Sequence, residues 1–252
     1  MRGNAMNGFG PLSALFRDAA HAPTTAAEID WYATHVPADA GLALDLMCGS
    51  GRVLAPLVAR GRQVHGVDSS AAMLARCEAR LAEAGSSTTL VRQDVTQLNV
   101  PFRYGSAIVT AGSFQLITDP AAAAATLSRI RAHLLPPGLL FLDCVVPTET
   151  AQRLGAPLVE LRTAALSDGT RIALRSETTC WSDARLSRAE NRYAHRRGAQ
   201  LLAEEHETVT QTWYAFDDLA ALVKEAGFRD IAMAPSPCEA EDTPAFMLTA
   251  RL

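Results

Sequence analysis

The chain is defined first by what it lacks. No apolar run approaches the ~20 residues a membrane span requires. The first ten residues, Met1 to Gly10, hold no apolar segment of the kind a secretory leader needs. Charge of neither sign dominates: the net charge is −4 over 252 residues. Global attraction to nucleic acid or to an anionic membrane is therefore not expected. The five cysteines (Cys48, Cys77, Cys144, Cys180, Cys238) are scattered with no C-x-x-C spacing. With no export signal, they read as reduced thiols of a cytoplasmic protein. No His, Cys, Asp or Glu set has metal-ligand spacing, so no metal is expected. What remains is ordinary globular composition, 48% hydrophobic and 20% charged, enough for one core and a small appendage.

The most informative stretch is Leu42-Ala43-Leu44-Asp45-Leu46-Met47-Cys48-Gly49-Ser50-Gly51. An apolar run ends in an acid and breaks into a glycine-rich turn. An amphipathic segment, Arg52 to Arg60, follows and closes at Gly61. A second apolar run, Gln63 to Val67, ends in Asp68. Strand, glycine loop, helix, strand, acid is the opening of a nucleotide-binding α/β domain. A dinucleotide fingerprint needs a third glycine, and Leu54 stands there. A phosphate loop needs Gly-Lys-Ser/Thr, and Gly51 is followed by Arg52-Val53. A nucleoside ligand without phosphates is left, and the cation S-adenosylmethionine (SAM) suits a loop framed by Asp45 and Asp68.

Asp45-Leu46-Met47-Cys48-Gly49-Ser50-Gly51-Arg52, then Gly66-Val67-Asp68-Ser69-Ser70 and Met73-Leu74, resembles the first two motifs of class I SAM-dependent methyltransferases of the small-molecule type. Gln93-Asp94-Val95, Ala111-Gly112-Ser113-Phe114-Gln115-Leu116 and Leu134 to Leu140 resemble later motifs of the same family. The resemblance covers roughly residues 24 to 146 and returns near the C-terminal end. It implies a Rossmann-like, doubly wound, mostly parallel seven-stranded sheet. It implies that Asp45 orients the methionine ammonium, while Met47, Cys48, Gly49 and Gly51 offer main chain to the amino-acid end. Asp68 would take the ribose hydroxyls, Ser69 and Met73 would lie along the adenine, and Asp94 and the Val95 amide would hold its edge. Ser113 and Phe114 would face the sulfonium. Met47 replaces the family's usual first loop glycine, so a wider turn is expected there.

The element pattern agrees with that scheme. Leu12, Leu15 and Phe16 have helical spacing in a segment closed by Pro23, and residues 1 to 10 should be loose. Thr25-x-x-Glu28 is a capping box for a helix through Val36, ended by Pro37. Ser69 or Ser70 caps a helix carrying Met73, Leu74, Cys77 and Leu81. Asp119-Pro120 starts another. Strands are expected at 42–46, 64–68, 88–92, 107–111 and 139–145. From Pro147 to Trp213 the alternation stops. Three extended segments (170–181, 185–197, 200–213) read as an antiparallel meander, an acceptor pocket or dimer contact inserted before a last helix capped by Asp217 and two final strands. The organisation is thus a helical lid segment (1–37), a SAM-binding core (38–146), the meander (147–213) and the C-terminal part of the core (214–252).

The acceptor side is less legible. Tyr193 and His195 alternate onto one face of an extended segment, and His195 is the candidate base for a hydroxyl acceptor. Trp31, Tyr32 and His35 suit either a lid or packing onto the sheet, and Trp213 and Tyr214 suit either substrate contact or core. Arg185, Arg188, Arg192, Arg196 and Arg197 are expected to pair with glutamates across strands instead of binding nucleic acid. The expected function is methyl transfer from SAM to a nitrogen or oxygen of a small molecule of secondary metabolism, by a monomer or homodimer, with S-adenosyl-L-homocysteine as product. SAM-dependent chemistry other than methyl transfer, a nicotinamide oxidoreductase and a non-catalytic SAM-binding or scaffold module are the rivals.

Overall fold

The computed structural model describes residues 9–20, 24–36, 41–147, 156–237 and 244–252. Residues 1 to 8, Pro23, Pro37 and Cys238 lie outside these ranges. Two helices lead: α1 (Pro11–Ala20) and α2 (Ala26–His35), the latter capped by Thr25, which accepts from the Glu28 amide. Strand and helix then alternate through β1 (Ala43–Leu46), α3 (Leu54–Ala59), β2 (Val64–Asp68), α4 (Ala71–Glu83), β3 (Leu90–Arg92), β4 (Tyr104–Val109), α5 (Pro120–His133) and β5 (Leu134–Val145). Ser70, not Ser69, caps α4, and Asp119 caps α5 with Pro120 in its first turn. The insertion follows as β6 (Leu158–Ala165), β7 (Arg171–Trp181), β8 (Leu186–Arg197) and β9 (Gln200–Thr212). The chain closes with α6 (Phe216–Glu225), β10 (Arg229–Pro235) and β11 (Ala245–Arg251).

The sheet order is β10-β11-β5-β4-β1-β2-β3. The first five strands pair in parallel, and the β10–β11 hairpin pairs antiparallel with β5. One apolar cluster packs under α5 and α6 through Leu127, Ile130, Leu219 and Val223. A second, on α2, α3 and α4, joins Tyr32, Leu57, Cys77 and Leu81. Helices on both faces bury the parallel strands, which explains their near-continuous apolar runs. Strand order reverses between β1 and β4, so the crevice at their carboxyl ends is where such folds bind ligands.

The structure departs from expectation in several places. The insertion has four strands, not three, because β6 pairs along β7. β5 starts at Leu134, five residues early, and the Pro-Pro-Gly stretch is absorbed as a register shift opposite Tyr104 and Ser106. Ala215 occupies the α6 cap and Asp217 sits inside the first turn. Phe9 and Gly10 are tied down: the Ser70 hydroxyl donates to the Phe9 carbonyl at 2.5 Å. The glutamates of β9 do not face its neighbour's arginines. Glu205 accepts from the Leu12 and Ser13 amides, capping α1, and Glu207 accepts from the Ser13 and Tyr193 hydroxyls and from Asn191. The arginine pairs instead run along strands, Arg175–Glu177 and Arg188–Glu190, or reach Asp218 from Arg185.

Candidate functional site

The loop after β1 turns on three residues with left-handed backbone: Met47 (φ 56°), Gly49 (φ 56°) and Gly51 (φ 75°). Met47 adopts the conformation glycine would, at a cost of about 1–3 kcal/mol that the surroundings must offset. Gly51 has no room for a side chain, because a Cβ would collide with Cys77 Sγ. Leu54, where a third glycine was absent, is fully buried, and Gly66 of β2 leaves the space: a Cβ there would lie 2.7 Å from Leu54 Cδ1. Close helix-on-strand packing is thus achieved from the strand side.

Asp68 ties this loop to β2. Its carboxylate accepts from the Gly49 amide at 2.9 Å and from the Ser70 amide at 2.8 Å. Burial raises its pKa, and the amides of Ser70, Gly49 and Ser69 oppose the rise. Asp45 is different. It is 1% exposed, and its Oδ1 has no hydrogen-bond partner. Burial pushes its pKa up to about 8; the Arg52 guanidinium pulls the other way, and Asp68 adds to the rise. Arg52 is itself held by Glu28 of α2 at 2.8 Å. A buried carboxyl oxygen lacking a hydrogen-bond partner is costly, and a bound cation would relieve it. The residues therefore fit a cationic nucleoside. Cys48 is filler: its thiol meets Cys77, which with burial pushes its pKa well up.

The remaining residues of this edge follow the strand ends. Ser69 is half-buried just past β2. Met73 is buried on the first turn of α4, its sulfur 3.9 Å from where a Gly49 Cβ would stand. Asp94 caps a 3-10 turn beginning at the buried Val95, with Oδ1 accepting from the Thr96 amide and hydroxyl. Its Oδ2 accepts none of these bonds. Past β4, Ala111 (φ 53°) and Gly112 (φ 69°) are both left-handed and carry the chain into the 3-10 turn Ser113–Leu116. Ser113 is half-buried, whereas Phe114 is 1% exposed and belongs to the core beside Tyr214. Two residues with no assigned role brace this turn. Asp143, fully buried on β5, accepts from the Ala111 amide at 2.8 Å and the Ser236 hydroxyl at 2.6 Å. Gln115, also fully buried, bonds Val145 and Thr212. An acid inside an otherwise apolar strand, Phe-Leu-Asp-Cys-Val, was the signal for Asp143; Gln115 lay within a segment that resembles a family motif, but no role followed from it.

Residues 43–138, the segment containing every one of these strand ends up to α5 and the start of β5, match the profile of a methyltransferase domain. The chain carries a methyltransferase domain. It is 31% identical over 121 residues to the cypemycin N-terminal methyltransferase of a Streptomyces species, across 48% of this chain and 49% of that one; the chain thus spans about half the length of that relative. Among solved structures it resembles a SAM-dependent methyltransferase from Clostridium acetobutylicum (TM-score 0.75, 16% identity, 94% of this chain and 96% of that one). It also resembles DesVI from Streptomyces venezuelae (TM-score 0.74, 18% identity, 95% and 96%). At these identities the likeness is one of fold, and it extends over the insertion.

The acceptor-side candidates lie outside the methyltransferase domain. Tyr193 is 2% exposed beneath α1, packed on Phe16 at 5.6 Å, with its hydroxyl donating to Glu207 and its pKa pushed by burial to about 12. His195 bonds the Thr170 hydroxyl at 2.7 Å and lines a cleft of about 460 Å³ with Asp18, Arg76 and Arg80. The two share a face as expected. His195, however, lies nine residues along β8 from Leu186, which pairs with Thr212 at the stem. That separation is about 30 Å of strand. Trp31 and Tyr32 pack on the sheet, Trp31 edge-on to Phe141, while His35 stacks on Trp31 at 4.0 Å. Trp213 is buried, and burial pushes Tyr214 to about 12. Among the described residues no cluster could hold a metal, and no helix is long and apolar enough to cross a membrane.

Proposed function

We propose that the chain transfers a methyl group from SAM to a nitrogen or oxygen of a small polar molecule, as a reduced, cytoplasmic enzyme of secondary metabolism. The buried Asp45 carboxyl, whose Oδ1 has no hydrogen-bond partner, at the point where strand order reverses, carries this reading. It is the position at which a positive charge is needed and a pyrophosphate would be repelled. When bound, SAM supplies an electrophilic methyl on a sulfonium. The chain's residues align and shelter it. Asp45 holds the ammonium of the amino-acid end, with the main chain of Met47, Cys48, Gly49 and Gly51 around it. Asp68 has lone pairs left for the ribose hydroxyls after serving Gly49 and Ser70. Ser69 and Met73 border the adenine, and Asp94 Oδ2 and the Val95 amide meet its edge. Ser113 faces the methyl, and Phe114 supports it from the core.

The inner face of the insertion supports a polar acceptor. Its outer half is apolar (Ala164, Ile172, Leu174, Tyr193) and is covered by Phe16 of α1. Nearer the stems it turns polar while staying buried, through Ser176, Asn191 and Ser187. The names of relatives favour nitrogen: an N-terminal methyltransferase and the sugar N-methyltransferase KedS8. An amine acceptor needs only its lone pair in line with the methyl–sulfur bond, and proximity supplies most of the acceleration. No base is then required, consistent with the distance of His195 from the stem. Incubation with SAM and a panel of small amines and alcohols, read by mass spectrometry, tests this. S-adenosyl-L-homocysteine should appear with equimolar methylated acceptor. SAM consumed into a cyclised or rearranged product would overturn methyl transfer.

A further inference from the structure

Chain accounting at the end of β4 singles out Gln115. β4 stops at Val109, opposite Leu142 of β5, so three residues further on Val145 has no β4 rung beside it. Its amide and carbonyl still require partners, since buried backbone groups are almost always paired. Gln115 provides both. Its Oε1 accepts from the Val145 amide at 2.8 Å and its Nε2 donates to the Val145 carbonyl at 2.8 Å. The second Nε2 proton goes to the Thr212 carbonyl at 2.9 Å. These two carbonyls have a topological meaning. The chain leaves the core for the insertion just after Val145 and returns just after Thr212. One fully buried side chain therefore joins both stems of the insertion to the turn that carries Ser113. Gly112 keeps the arrangement tight, because a Cβ there would lie 2.8 Å from both Gln115 Oε1 and Val145 Cγ2.

We propose that Gln115 is a positioning residue that holds the insertion, and with it the acceptor face, in register with the methyl-transfer edge. This rests on the function proposed above only for the meaning of that register; the mechanical link stands without it. Amide hydrogen exchange on the full chain tests it. Gln115→Met keeps length and volume and removes the amide. Without ligand, the amides of Val145 and of 208–214 should exchange at least tenfold faster, while β1 and β4 keep wild-type rates; a purely structural loss would accelerate all of them together. With SAM as probe, wild type should slow exchange across 208–214. Gln115→Met should lose that response with its dissociation constant changed less than threefold. Gln115→Glu, which still accepts from Val145 but cannot donate when ionised, should keep Val145 slow and speed 208–214. It decides the matter if the methionine variant does not fold. Unchanged rates at 208–214 in the folded variant, or uniform acceleration, would overturn the proposal. Failure of wild type to bind SAM would instead count against the proposed function, with the ligand-free comparison still deciding the role of Gln115.

Discussion

At the scale of single residues, Asp45 concentrates the stored electrostatic cost of the fold. Its carboxyl is held near a pKa of 8 in the folded chain, against an ordinary 3.8. Between these values the folded state retains a proton that the unfolded state has released, so stability must fall as pH rises. Its contribution is fully present below about pH 4 and lost through about pH 8. Thermal unfolding of the ligand-free protein should accordingly show a melting temperature that declines from pH 5 to 8. In Asp45→Asn that part of the decline should vanish; an unchanged pH profile in the variant would show that Asp45 ionises freely. The position of Asp45 and Asp68 was legible because strand-end acids follow from apolar runs of fixed length. The α1 partners of Glu205 and Glu207 were not, because they lie more than 190 residues away in sequence.

At the scale of elements, α1 is held by charge as well as by apolar area. Beside Ala14 and Phe16, its attachments include the Glu205 carboxylate at its N-terminus, Glu207, which accepts from Ser13, and Asp18, which accepts from Arg76 at 2.6 Å and Arg80 at 2.9 Å on α4. Glu205 thus acts as a cap supplied from β9, matching the positive end of the helix dipole. Glu205→Ala should cost about 0.5–2 kcal/mol, the range for losing an N-cap. Chemical denaturation would measure it, and no loss would mean that the first turn of α1 finds water instead. Caps encoded locally (Thr25, Ser70, Asp119) were readable from sequence. β6 was not. Leu-Val-Glu-Leu-Arg-Thr-Ala-Ala is rich in helix formers, and its large residues Leu158, Val159 and Leu161 stay exposed along an edge strand. Pairing with β7 overrides local propensity there.

At the scale of the whole molecule, two sheets meet at one edge. The parallel sheet was predictable because alternating strand and helix admit few topologies and one handedness. The insertion's placement was not, because it depends on long-range contacts through α1, Gln115 and Tyr214 that leave no periodic trace. The central claim is that the carboxyl edge of the first sheet grips an adenosyl cation. Titration calorimetry of SAM into the wild-type chain and Asp68→Ala tests it most directly. Wild type should bind SAM and not NAD, and the variant should bind SAM more weakly by about 1.5–3 kcal/mol, the scale of hydrogen bonds to a charged group. Equal affinity in a folded Asp68→Ala, or heat evolved with NAD and none with SAM, would contradict the account.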